Sequence, residues 1–138
     1  MNIRNALAGI AVSDLDRSLA WYAGLIGRPP DERPLPGLVE WSFSRGGWVH
    51  LFCDPARAGA CTVTLVESDL AERQNDLRAK GIAVLSASET DDVRLLVVAD
   101  PDGNQIVLAE GLTPRHRATA PGPRLVFLPF GDAAGGKS

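Results

Sequence analysis

Few residues in this chain could do chemistry. It has two histidines, His50 and His116, and two cysteines, Cys53 and Cys61. His50 lies in the run Trp48-Val49-His50-Leu51-Phe52. Side chains alternate across a strand, so Trp48, His50 and Phe52 share one face. An imidazole there can act as a general acid or base, or can be a hydrogen-bonded strand histidine with no further role. The indoles of Trp48 and Trp41 are core residues or stacking surfaces for a planar ligand. The cysteines lack C-x-x-C spacing, so no disulfide framework is expected and both read as buried thiols. Arg94 interrupts an apolar strand and either reaches solvent or anchors an anionic group. Asp100 and Asp102 fall in Asp100-Pro101-Asp102-Gly103-Asn104, where turn formation explains them better than catalysis. Asp14, Asp16 and Arg17 read as cap and surface charges, and His116 has no motif around it.

The elements that must hold these residues follow from periodicity. Ala6–Val12 is an apolar run of strand length. Ser13 or Asp14 then caps a helix that carries Leu15, Leu19, Tyr22 and Ile26 on one face. Gly27 ends it, and Pro29-Pro30 prevents continuation. Residues 31–36 are Pro-rich, with room for a short edge strand. Gly37–Ser44 alternates, with Val39, Trp41 and Phe43 on one face and Glu40, Ser42 and Ser44 on the other. Arg45-Gly46-Gly47 is a hairpin turn leading to the strand Trp48–Cys53. The pattern then restarts. Thr62–Glu67 is a strand, Ser68 or Asp69 caps a helix through Lys80, and Gly81 stops it. Strands follow at Ile82–Leu85, Val93–Ala99 and Gln105–Ala109. Val12-Ser13-Asp14-Leu15 and Glu67-Ser68-Asp69-Leu70 mark the same strand-to-helix event twice, so the chain reads as β-α-β-β-β repeated. Neither copy has enough apolar surface to cover its own sheet.

Composition limits the function classes. The hydrophobic fraction is 45% and the charged fraction 22%, an ordinary globular balance. A formal net charge of -3 with no basic run argues against nucleic acid as a partner. The apolar runs are too short to cross a bilayer. The N-terminus has no apolar stretch of signal-peptide length, so a cytoplasmic protein is expected. After Gly111 the composition changes. Thr113–Pro123 reads as a linker, Arg124–Phe130 as a segment able to add a strand or dock on a partner, and 131–138 as a disordered end.

Two segments carry a family resemblance. Ala11-Val12-Ser13-Asp14-Leu15-Asp16-Arg17-Ser18-Leu19-Ala20-Trp21-Tyr22 resembles the opening of the vicinal oxygen chelate superfamily. Asp100-Pro101-Asp102-Gly103-Asn104-Gln105-Ile106 resembles its close. The segment Trp48–Gly59 is similar to uncharacterised members, and the resemblance spans about Ile3–Glu110. It implies an α+β fold in which two βαβββ modules form a curved mixed sheet around a cavity. The domain is then 1–111, with module one at about 4–55, module two at about 60–111, and 112–138 as an extension. The superfamily includes glyoxalases, extradiol dioxygenases, resistance transferases, epimerases and bleomycin-binding proteins, so the fold leaves the reaction open. Relatives often dimerise, which implies a homodimer.

Metal-dependent relatives place ligands on the first strand of each module and late in each module. Carried over, these positions fall on Leu7, His50, Thr62 and Val107. Only His50 is a usual ligand, and a divalent ion needs about three protein donors. No metal and no other cofactor is therefore expected. Side-chain alternation along each strand assigns the cavity face to Leu7, Gly9 and Ala11, to Trp48, His50 and Phe52, to Thr62, Thr64 and Val66, and to Gln105, Val107 and Ala109. With Trp41, this is a mostly apolar wall with a few polar points, the character of a small-molecule pocket. Four readings follow. The first is a metal-free protein that binds an aromatic or natural-product ligand. The second is a metal-free isomerase, cyclase or lyase with His50 as general acid or base, for which no partner of His50 is visible. The third is a metal-dependent glyoxalase or dioxygenase, which the ligand positions disfavour. The fourth is an interaction module that uses Arg124–Phe130.

Overall fold

The computed structural model describes residues 2–111, and the expectations for 112–138 lie outside them. Ten elements follow in order: β1 (Leu7–Val12), α1 (Leu15–Ile26), β2 (Glu32–Leu35), β3 (Leu38–Ser42), β4 (Trp48–Cys53), β5 (Thr62–Val66), α2 (Arg73–Ala79), β6 (Val84–Glu89), β7 (Val93–Ala99) and β8 (Gln105–Gly111). They form two four-stranded mixed sheets with two helices, an α+β fold of two repeated modules. The chain divides into two compact units. Residues 1–61 and 99–105 form the first, and Thr62–Val98 with the segment beginning at Ile106 forms the second.

In the first unit the strand order is β1-β4-β3-β2. β1 and β4 run parallel, with Leu7 paired to Trp48, Gly9 to His50 and Ala11 to Phe52. β3 and β4 form the expected hairpin, with Glu40 opposite His50 and Trp41 opposite Val49. Asp14 caps α1, its carboxylate accepting from Arg17 N at 3.1 Å, and Gly27 ends the helix at φ 93°. That left-handed conformation suits glycine because it has no Cβ to clash. One face of the sheet is sealed: Ile10, Val12, Val39, Trp41, Val49 and Leu51 are buried, as are Leu15, Tyr22 and Leu25 of α1. Each large side chain buried this way contributes about 1.5–3 kcal/mol relative to exposure.

The turn between β7 and β8 completes this unit. Asn104 Nδ2 donates to Ala11 O at 2.9 Å and to Asp100 Oδ2 at 2.8 Å. Its Oδ1 accepts from Gly59 N at 3.0 Å and Cys61 N at 2.9 Å. The Asp100 carboxylate also accepts from Tyr22 Oη at 2.7 Å and from the backbone of Asp102 and Asn104. Asp102 accepts from both Ser13 N and Ser13 Oγ. The aspartates are turn formers, as expected, and they also fasten the turn to β1 and α1. Burial and the adjacent Asp100 carboxylate hold the Tyr22 phenol protonated, well above its ordinary range.

In the second unit the order is β5-β8-β7-β6. Glu67 N donates to Ala109 O at 2.8 Å, and Gln105 N donates to Cys61 O at 2.9 Å. Both bonds fit one parallel register, with Thr62 beside Gln105 and Thr64 beside Val107. Val93, Leu95, Val97, Val107 and Ala109 form a buried aliphatic cluster. Glu110 accepts from Leu70 N at 2.8 Å and lies 3.4 Å from Arg94. Arg94 therefore joins an ion-pair group with Glu89, at 3.1 Å, and Glu110.

Three local expectations need correction. The second helix starts later than Ser68 or Asp69 and spans Arg73–Ala79, because Asp69 Oδ1 accepts from Ala71 N in a tight turn and does not cap a helix. The strand expected at Ile82–Leu85 is displaced to Val84–Glu89, since Ile82 is still tied to the helix end through Leu77 O at 2.8 Å. The thiols are not both buried: Cys53, the last residue of β4, is exposed and Cys61 is half-buried. Among the described residues no helix is long and apolar enough to cross a membrane.

Candidate functional site

The first sheet has one face covered by α1 and one face free of it. Strand pairing fixes which side chains share the free face. The row Gly9–His50–Glu40 lies at its centre, flanked by Ala11–Phe52–Leu38 and Leu7–Trp48–Ser42. Trp48, His50 and Phe52 are half-buried, unlike the sealed Val49 and Leu51 between them.

His50 is positioned by its neighbours on both sides. A Cβ on Gly9 would stand 2.8 Å from His50 Nε2 and 3.3 Å from Phe52 Cε1. The missing side chain at Gly9 is what lets both rings lie across β1. The rings of His50 and Phe52 meet edge to face at 5.8 Å, a favoured aromatic geometry. The Arg57 guanidinium sits 5.5 Å from the Phe52 ring centre and is held by Asp54 at 2.9 Å. On the other side, Glu40 Oε2 lies 3.6 Å from His50 Nδ1, with the two side chains 16% and 28% exposed. That nitrogen is shielded from solvent and makes no hydrogen bond. The separation is too long for a hydrogen bond but short enough for a strong electrostatic bias in a half-buried place.

Several expected site residues therefore come together: Gly9, His50, Trp48 and Phe52 on one face, with Leu7 and Ala11 at its borders. Ala11 is buried, and Leu7 is exposed at the strand start. Trp41 does not join them. It is fully buried on the opposite face, its ring 6.4 Å from that of Tyr22 and its Nε1 donating to Arg28 O at 3.1 Å. Its face also carries Val39, so the alternation in β3 holds but the choice of face was inverted. Thr62 and Thr64 lie on β5 and Gln105 opens β8, with Thr64 Oγ1 shielded and lacking a hydrogen-bond partner. Val107 is fully buried in the aliphatic cluster.

Glu40 is the residue the sequence reading missed. The signal was present in the hairpin. A turn closed between Phe43 and Gly47 pairs positions symmetric about Arg45, which sets Glu40 opposite His50.

A model of the glyoxalase-like domain matches residues 8–109. The chain belongs to the glyoxalase-like family. The superfamily is that of the vicinal oxygen chelate proteins, as the two end segments implied. This glyoxalase-like protein is 30% identical to a glyoxalase/bleomycin resistance protein from Catenulispora acidiphila, with a TM-score of 0.71 over 77% of this chain and 96% of that one. It shares its fold with TnmS3, an antibiotic binding protein from Streptomyces sp. CB03234, at 23% identity and TM-score 0.69, covering 80% of this chain and 98% of that one. It also shares the fold of a bleomycin-binding protein complexed with bleomycin, at 20% identity and TM-score 0.63, covering 78% and 98%. A search of curated proteins finds no match.

The family's metal can be tested against the donors present. The positions equated with its ligands hold Leu7, His50, Thr62 and Val107. Leu and Val have no lone pair to offer. Among the described residues, no group of three or more His, Cys, Asp or Glu side chains could hold a metal ion. His50 and Glu40 alone fall short of the three protein donors a divalent ion requires, so this donor set does not fit it.

Proposed function

We propose that this protein binds a small aromatic or natural-product molecule on the His50 face of its first sheet, without a metal. The observation that carries this reading is the half-buried row Trp48, His50 and Phe52 on the face free of α1, with the His50 and Phe52 rings laid across Gly9. Half-exposed flat rings on one face offer a stacking surface to a planar ligand, and His50 with Glu40 supplies the few polar points that orient it. The fold shared with an antibiotic binding protein and a bleomycin-binding protein supports the ligand class. Leu7, at the start of β1, is assigned as a further ligand contact on this face. The protein is taken as a cytoplasmic homodimer built on one domain, residues 1–111, with no nucleic-acid or membrane partner.

Calorimetric titration with bleomycin and a panel of polycyclic aromatic antibiotics tests the reading, with elemental analysis of the same sample. Saturable binding weakened at least tenfold by Trp48→Ala is the expected result. Silence across the panel, or stoichiometric zinc, iron or manganese, overturns it.

One observation favours a second reading. Glu40 provides the carboxylate that an acid-base histidine uses for orientation. A metal-free isomerase, cyclase or lyase with His50 as general acid or base fits the same face. Turnover of a bound ligand, abolished by His50→Gln with binding kept, separates it from simple binding.

A further inference from the structure

We infer that Glu40 is a positioning residue that fixes the His50 proton on Nδ1, leaving Nε2, which lies over Gly9, as a hydrogen-bond acceptor on the free face of the first sheet. The site then selects planar aromatic ligands that carry a phenolic or enolic hydroxyl. This rests on the small-molecule reading of the same face.

His50 Nδ1 is shielded from solvent and has no hydrogen-bond partner, and its nearest opposite number is a carboxylate oxygen at 3.6 Å. In a neutral imidazole one nitrogen carries the proton and the other a lone pair. A lone pair on Nδ1 would face a negative charge with neither water nor a donor to relieve it. An N–H there faces an acceptor. At 3.6 Å in a half-buried place, the attraction between that N–H and the carboxylate exceeds thermal energy. The carboxylate thus overrides the intrinsic preference of imidazole for the Nε2–H form.

The consequence falls on the other edge of the ring. Nε2 itself sits where a Gly9 side chain would be. Unlike Nδ1 it is not a shielded atom, so its lone pair is offered to a ligand lying on the free face, and Phe52 sets an apolar edge beside it. A hydroxyl on a flat ring can meet both at once. An ether or a bare ring leaves the acceptor unpaired, which a half-buried site penalises.

The test needs no natural ligand to begin. Nitrogen-15 correlation spectra of the imidazoles at pH 8 report the tautomer directly, and the chain has only one other histidine, removable by His116→Gln. The expected result is the Nδ1–H form in the native protein and a shift to Nε2–H in Glu40→Gln, whose amide can donate to Nδ1. A native Nε2–H form, an imidazolium, or a Glu40→Gln spectrum like the native one overturns the inference. Selectivity is then read by calorimetry with 2-naphthol and 2-methoxynaphthalene. At least tenfold preference for the naphthol, lost in Glu40→Gln, is expected. Equal binding of the two overturns the selection. Binding of neither, with the Nδ1–H form intact, removes the small-molecule reading and the ligand class while leaving the role of Glu40 standing.

Discussion

Replacing Asn104 should unfasten the first unit. The side chain is fully buried and makes four hydrogen bonds, to Ala11 O, Asp100 Oδ2, Gly59 N and Cys61 N. Its amide thereby uses both N–H donors and both lone pairs. Asn104→Ala strands three backbone groups, each costing about 1–3 kcal/mol when left unpaired. Gly59 and Cys61 are half-buried, so water recovers part of that loss. The net expectation is about 3–5 kcal/mol, a large share of the roughly 5–15 kcal/mol that holds a domain folded. In urea unfolding this lowers the midpoint by about 2 M at an ordinary slope. Asn104→Asp is the sharper control, because it keeps the shape and the two accepted bonds. It turns the donor facing Ala11 O and Asp100 Oδ2 into a third oxygen. It should cost at least as much as the alanine at pH 7 and recover part of the loss as falling pH protonates the introduced carboxyl. A loss below about 1 kcal/mol for Asn104→Ala, or an aspartate variant as stable as the native protein, refutes the reasoning.

Other perturbations probe other contacts. Gly9→Ala puts a methyl 2.8 Å from His50 Nε2. It should turn the ring away and weaken ligand binding at least tenfold, while thermal unfolding moves little, since the atom displaced is the end of a side chain. Tyr22→Phe removes the hydroxyl that donates to Asp100 at 2.7 Å, costing about 1.5–3 kcal/mol in denaturant unfolding. Because the Tyr22 pKa is raised on folding, its contribution is complete below the ordinary phenol value near 10 and is lost as pH climbs above it. The native protein should therefore lose stability above that pH more steeply than Tyr22→Phe. Asp31 is held down to about 2 by the Arg28 guanidinium and by Ser42 N. Its stabilising share exists above the ordinary carboxylate range and disappears as pH falls toward 2. Arg28→Ala should return the Asp31 carboxyl toward about 4 in a carbon-13 NMR titration.

What the sequence disclosed was local and periodic. The cap at Asp14, the stop at Gly27, the hairpin at Arg45–Gly47 and the turn at Asp100–Asn104 each rest on backbone chemistry within a few residues. Such signals do not depend on the rest of the fold. The alternation of β4 correctly grouped Trp48, His50 and Phe52, since parity is a local property. Choosing which face of β3 lies under α1 was not local. Val39-Trp41 and Glu40-Ser42 are both consistent strand faces, and the larger apolar pair went beneath the helix while the acid stayed opposite His50. The second helix was overextended because Ser68 and Asp69 have cap chemistry that a tight turn uses equally well. Val107 was placed on the correct strand, but its burial comes from the aliphatic residues of β7, which no short-range pattern reveals.

The turn that links β7 to β8 has a consequence for how the chain is made. Residues 1–61 contain every element of the first module, yet Ala11 O, Ser13 N, Gly59 N and Cys61 N find their partners only in Asp102 and Asn104. On a ribosome adding about 5–20 residues per second, the first module waits some seconds after its own synthesis for those partners to emerge. During that interval its last hydrogen bonds are open to water, to chaperones or to another chain. The two similar halves are therefore not interchangeable in time: the first is completed by a turn that the second half delivers.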